Sequence, residues 1–337
     1  RMKAKHNGKI DILRAAIKEF LEIAQRTGKG ISKHQIAEAL YIRHPDMFKS
    51  KEDARTIVRY ATMSMGSISK KAKNQELADA FHLLAEPIKE TDPTPYDIPL
   101  GYKKLLVIAD IHSRFYDKKA LYKAIEDGLK SNCQGVLING DFMDFYQYSK
   151  FDKNPNIVAD FASEQDWGVD LLSLLQSLFG VVFLKLGNHD LRRELMIQRL
   201  SATMPELQGY TSYQDYLFYE GSNVQFIEDY KHITFGKLNI MHGHEYPSNG
   251  IHIAYNRLNK TFDNVLSAHS HRGQSIIRQT INREVYGSWT IGCLCNLSPR
   301  YAPKNDWVHG YAIIERDNEG LFEVQNKIIR DEKLFYI

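Results

Sequence analysis

The chain has 337 residues, 43% of them hydrophobic and 25% charged, a composition that excludes disordered, collagen-like and fibrous classes and exceeds the usual size of one domain. No run reaches the ~18 apolar residues of a membrane helix, and the start, RMKAKHNGKIDILRAAIKEF, lacks the apolar stretch and cleavage site of a secretory leader, so a cytoplasmic protein without membrane contact is expected. The net charge of +3 divides unevenly: residues 1–90 hold 18 Lys and Arg against 11 Asp and Glu, +7, whereas residues 91–337 hold 26 against 30, −4.

Ile10, Leu13, Ile17, Leu21 and Ala24 recur at three- and four-residue steps, which predicts an amphipathic helix ending near Gly28. Ser32 and Gln35 fit a capping box opening a second helix through Ile36, Ala37 and Leu40. A third helix starts after Ser50, with Asp53 three residues on and Ile57 and Val58 inward, and a fourth is expected over 75–85. The second and third helices resemble a helix-turn-helix in general pattern, although the intervening YIRHPDMFKS is longer than a simple turn. Lys51, Arg55 and Arg59 share one face of the third helix and are the candidate nucleic-acid contacts; a solvated stripe on a docking or structural bundle is the competing reading. Four prolines in residues 87–99 force an extended connection. The expected organisation is a small all-α basic domain over 1–86, a linker over 87–100 and a catalytic domain over 101–337.

Beyond the prolines, strands and helices alternate: KLLVIAD (104–110), a helix over 118–130, GVLINGD (135–141), a helix over 166–179, and VVFLKLGNHD (181–190). That order implies parallel strands joined by crossovers, hence an α/β fold. KLNIMHGH (237–244), NVLSAHSH (264–271) and a hairpin turning at Asn318–Gly320 follow. The three cysteines, Cys133, Cys293 and Cys295, are too few for a disulfide framework and are expected to be reduced; GCLCNL reads as a buried strand rather than a zinc site.

Each apolar strand ends in metal-ligand residue types: Asp110 and His112, Asp141, Asn188 and His189, His242 and His244, His269 and His271. In an open α/β sheet such carboxyl ends meet at one edge. In order, DIH (110–112), GDFMD (140–144), GNHD (187–190), HGH (242–244) and AHSH (268–271) resemble the motif series of the calcineurin-like metallophosphoesterases over roughly residues 100–315. Ala268 stands where that family usually has glycine. The resemblance implies a β-sandwich flanked by helices and a metal-dependent phosphoesterase. Carried over by motif, one cation is held by Asp110, His112, Asp141 and His271, and the other by Asp141, Asn188, His242 and His269, with Asp141 shared. Both His242 and His244 follow the strand and either can be that ligand; with His242 preferred, His244 stands behind the ligands or faces substrate. Such N/O ligands suit two divalent ions, Mn²⁺ favoured by the resemblance, with Fe, Zn, Mg or Ni as alternatives. His189 resembles the family's catalytic histidine, which protonates the leaving oxygen, with Asp144 orienting it and raising its proton affinity. Arg114 and Arg192, with Arg193, are candidate grips on phosphate oxygens.

The insertions 145–180 and 191–236 are rich in aromatics, including Phe145, Tyr148, Phe151, Trp167, Tyr210, Tyr213 and Tyr216, which either stack bases or pack the insertions onto the fold. The leading expectation joins the basic helical domain to a phosphodiesterase or nuclease acting on nucleic acid. The alternative is a phosphatase or phosphodiesterase of small molecules or phosphoproteins, its helical domain a docking or dimerisation module. A non-enzymatic scaffold fits poorly with a complete ligand set.

Overall fold

The computed structural model describes residues 32–61 and 91–337, apart from 151, 152, 155, 158, 159, 211, 248, 249 and 332, together with single residues between 13 and 26. It divides into two compact units, residues 1–90 and 91–337. Much of the helix expected from Ile10, and the helix expected over 75–85, lie outside the described residues. Leu13, Ala16 and Phe20 are helical and buried.

In the first unit, α1 (Lys33–Arg43) opens with the expected capping box: Ser32 Oγ accepts from the Gln35 N–H while Gln35 Oε1 accepts from that of Ser32. Two donors that a helix start leaves without partners are thereby satisfied. At α2 (Lys51–Ala61), Ser50 Oγ accepts from the Asp53 N–H. Ile36, Ala37, Leu40, Ala54 and Val58 join Leu13, Ala16, Phe20 and Phe48 in one apolar cluster.

The second unit is built on a seven-stranded sheet in the order β13-β12-β11-β2-β3-β4-β5. Its parallel centre is β2 (Lys104–Ile108), β3 (Val136–Asn139), β4 (Val182–Lys185) and β5 (Val224–Ile227). The antiparallel flank is β11 (His309–Arg316), β12 (Phe322–Arg330) and β13 (Lys333–Tyr336). Side chains alternate across a strand, so Leu106, Ile108, Val136, Ile138, Val182 and Leu184 meet Ala120, Leu121 and Ala124 of α3 (Lys118–Lys130) and Leu172 and Leu175 of α4 (Phe161–Phe179). Leu105, Val107, Leu137 and Phe183 face the other way, onto the second sheet. Each such apolar side chain contributes about 1.5–3 kcal/mol on full burial. Both faces being covered explains why these strands read as continuous apolar runs.

The second sheet has the order β1-β6-β7-β8-β10-β9: β1 (Tyr96–Asp97), β6 (Ile233–Phe235), β7 (Leu238–Ile240), β8 (Val265–Ser267), β9 (Gln274–Gln279) and β10 (Val285–Thr290). The α/β class and helix-flanked pair of sheets match the sequence expectation. The run expected to be linker is only partly so: Tyr96 and Asp97 pair in parallel with β6, and Ile98 is buried in the inter-sheet core. Arg316 fastens it, donating to the Ile98, Pro99 and Tyr102 carbonyls. The 166–179 helix starts five residues earlier than expected, at Phe161, because the Asp160 side chain caps it by accepting from the Ser163 N–H. The segment 291–295 is buried but is not a strand; Cys293 and Cys295 make isolated bridges to His309 and Tyr116. All three cysteines are free thiols. Among the described residues, no helix is long and apolar enough to cross a membrane.

Candidate functional site

The register of the central strands decides where the chemistry collects. Ile108 pairs with Ile138 and Asn139 with Lys185, so β2, β3 and β4 end side by side; Ile240 pairs with Leu266, which aligns the ends of β7 and β8. Beyond these ends the backbone turns left-handed at Asp110, His112, Asp141, His269 and His271, each with φ between 51° and 65°. Such positive φ is uncommon outside glycine, although Asp and His tolerate it best, and it marks backbone held against local preference. Gly140 and Gly187 admit closer approach: a Cβ at Gly140 would strike the His242 ring, and one at Gly187 the Asp141 carboxylate. Ala268 needs no glycine, since it is not among the positive-φ residues and is fully buried.

His112 Nε2 lies 3.3 Å from His271 Nε2 and 3.9 Å from Asp141 Oδ2, and His271 Nε2 lies 3.3 Å from Asp110 Oδ1. On the other side, His242 Nε2 is 3.3 Å from Asp141 Oδ2 and 4.0 Å from Asp110 Oδ1. Ligand atoms converge within 4.8 Å in the groups Asp110–His112–Asp141 and Asp141–His242–His269, which share Asp141. Asp110 Oδ1, Asn188 Oδ1 and His242 Nε2 are buried without a hydrogen-bond partner. Buried polar atoms without partners carry a desolvation penalty, and here all three are of ligand type. Burial opposes charge on His242 and His271, but Asp141 raises the first to about 9 and Asp110 the second to about 10. The carboxylate cluster thus calls for positive charge, and this donor set fits divalent cations.

Beside this cluster, Asp144 Oδ1 lies 2.8 Å from His189 Nδ1 and 3.1 Å from His112 Nδ1. The expected rise in the proton affinity of His189 does not appear: burial lowers its pKa, and Asp141 and Asp144 only partly offset that. Arg192 donates to the Asp144 carbonyl at 2.8 Å, and its Nη2 lies 2.9 Å from His189 Nε2. Arg193 is buried with its guanidinium over the Tyr216 ring, and Arg114 donates to Ser163 Oγ at 2.7 Å. His244 borders the cluster, its Nδ1 3.3 Å from Glu245 Oε2 and its ring 6.2 Å from that of His269.

Several supporting residues were not read from the sequence. Glu164 Oε1 accepts from Ser113 Oγ and from the N–H groups of Asp144 and Phe145. Asp190, the last residue of GNHD, accepts from the N–H groups of Gly187 and Met143 and from the Tyr213 hydroxyl. Glu245 accepts from the His242 and Gly243 N–H groups and pairs at 3.3 Å with the buried Lys185. For Asp190 and Glu245 the motif position was the available signal; Glu164 lies in an insertion and carries none. Cys295 Sγ is 3.8 Å from His271 Nδ1. The insertion aromatics pack on each other, with Phe145, Tyr213 and Tyr216 buried, while Tyr210 is exposed and Phe151 lies outside the described residues.

The family model of the calcineurin-like phosphoesterases matches residues 103–316. The chain belongs to the calcineurin-like phosphoesterase family. This phosphoesterase is a metal-dependent hydrolase of phosphate esters, and its family implies two divalent cations. It is similar to the gene 54 protein of Mycobacterium phage L5, 27% identical over 237 residues that cover 64% of this chain and 90% of that protein. Among solved structures, Vacuolar Protein Sorting 29 from Cryptosporidium parvum is 14% identical, with a TM-score of 0.39 over 70% of this chain and 96% of that one. YfcE, a phosphoesterase from E. coli, is 16% identical, with a TM-score of 0.34 over 68% and 96%.

In the helical unit of this phosphoesterase, the candidate nucleic-acid contacts are partnered. Lys51 pairs with Glu38 at 3.1 Å, and Arg55 and Arg59 pair with Glu52 at 3.0 and 3.6 Å. A cavity of about 290 Å³ is lined by Lys33, His34, Arg55 and Arg59.

Proposed function

We propose that the chain is a dimetal phosphodiesterase acting on nucleic acid. In this reading, Asp110, His112, Asp141 and His271 hold one cation, and Asp141, Asn188, His242 and His269 the other, with Mn²⁺ favoured. The observation carrying it is that two ligand groups share the Asp141 carboxylate, as a pair of ions roughly 3.5–4 Å apart requires. That His242, and not His244, converges with Asp141 and His269 in one ligand group supports His242 as the ligand. When bound, the cations polarise the phosphoryl oxygens and supply a water nucleophile near neutral pH.

The remaining steps belong to side chains. Asp144 accepts a hydrogen bond from the His189 Nδ1–H and so directs Nε2 outward, toward the leaving oxygen; Nε2 takes up a proton from solvent once Arg192 leaves it and passes that proton to the leaving oxygen as general acid. Arg192 now donates to that Nε2; in the complex its guanidinium turns to a non-bridging phosphate oxygen and frees the imidazole.

Nucleic acid as substrate is supported by the +7 excess of residues 1–90 and by the basic lining of the small cavity between α1 and α2. The ion pairs that engage Lys51, Arg55 and Arg59 favour the second reading, a phosphoesterase of small molecules or phosphoproteins with a docking helical unit. A Mn²⁺-supplemented panel of bis-nitrophenyl phosphate, nitrophenyl phosphate, and single- and double-stranded DNA and RNA decides. Cleavage of a polynucleotide is expected; activity on the diester dye with every polynucleotide intact would establish the second reading.

A further inference from the structure

The polypeptide after the last ligand histidine strand returns to the site through residues 296–308, a loop without regular structure whose shape is nevertheless fixed. Asn305 Nδ2 donates to the Leu297 and Ala302 carbonyls at 2.7 and 2.8 Å, Asn305 Oδ1 accepts from the Trp307 N–H, and the Val308 N–H donates to the His271 carbonyl. Arg272 pairs with Asp306 at 2.7 Å. This loop stands two aromatic rings in a row on the site: Trp307 packs edge-to-face on His271 with ring centroids 4.1 Å apart, and Tyr301 lies beyond it at 6.1 Å.

Tyr301 differs from the insertion aromatics that pack beside the site. Phe145, Tyr213 and Tyr216 are buried against one another, whereas Tyr301 remains 77% exposed. The open ring sits one ring away from His271. Arg300 and Lys304 of the same loop are exposed and offer cations to flanking phosphates.

We propose that Tyr301, backed by Trp307, is the stacking surface for the nucleobase next to the scissile phosphate. The ligand is a base-bearing phosphodiester, and the proposal rests on the nucleic-acid reading above. Stacking of this kind accepts any base because each has a π-face.

The test is equilibrium binding of the full chain, with calcium replacing a catalytic cation, to a labelled short oligothymidylate and to an abasic strand of equal length. Stacking contributes ~1–3 kcal/mol per base, so Tyr301→Ala should weaken oligothymidylate binding by about 5- to 150-fold, with abasic binding moving far less and Tyr301→Phe near wild type. Melting temperature and bound metal should match wild type, as fits an exposed loop side chain. Equal losses on both strands, no loss on either, or wild type that does not distinguish the strands would overturn the platform alone. Wild type that binds neither strand would overturn it together with the nucleic-acid reading.

Discussion

At Asp141 the peptide turns left-handed, accepts the His189 N–H at Oδ1, and leaves Oδ2 facing both His112 and His242. One carboxylate is thereby addressed from both halves of the cluster, and burial fails to raise its pKa because His242 and His189 hold it well below the usual carboxylate range. His189 is different in kind. Its Nδ1 is committed to Asp144 and its Nε2 meets Arg192 rather than another ligand atom, so its removal should spare the cations. His189→Gln is expected to lower kcat by about 10²- to 10⁴-fold, the usual range for a general acid, with metal content per chain near wild type by elemental analysis. Loss of metal in parallel with activity would make the residue a ligand or a structural prop.

At the scale of elements, α4 does more than cover the sheet. It carries Glu164 under the loop that follows β3, where one buried carboxylate oxygen gathers the Asp144 and Phe145 N–H groups and the Ser113 hydroxyl. Glu164→Ala takes the acceptor from the Phe145 N–H and the Ser113 hydroxyl and leaves the Asp144 N–H only its bond to Ser113 Oγ, at about 1–3 kcal/mol for each group left unpaired. Thermal unfolding should shift down by several degrees, and turnover should fall further than stability alone explains, since Asp144 loses its anchor. An unchanged melting curve with wild-type turnover would refute the role. The same elements show what the sequence discloses. The helix over Lys118–Lys130 and the ends of β2, β3, β4, β7 and β8 were readable because apolar runs stop at ligand residues. β1, β6 and the early turn of α4 were not: two or three residues carry no period, and β1 sits among prolines. Glu164 was invisible because its partners are nineteen or more residues away in sequence, and Tyr301 because an exposed loop aromatic has no pattern until the fold stands it on Trp307 beside His271.

Over the whole molecule the charge is divided, +7 in residues 1–90 and −4 in 91–337. On the nucleic-acid reading, the catalytic unit would meet a polyanion with unfavourable net charge, offset locally by bound cations and by basic residues such as Arg192, Arg300 and Lys304. If nucleic acid is the substrate, affinity should fall linearly in a plot of log K against log salt, since each neutralised phosphate releases counterions. Deleting residues 1–90, one of the two compact units, should weaken binding and flatten that slope; an identical slope in the shortened chain would assign the helical unit to another partner. All of this depends on cations gathering at the strand ends, and the most direct measurement is anomalous diffraction from a crystal soaked in manganese. Two peaks roughly 3.5–4 Å apart on either side of the Asp141 carboxylate are predicted. A map without peaks there, with Asp110, Asp141, His242 and His271 turned away from one another, would contradict the account.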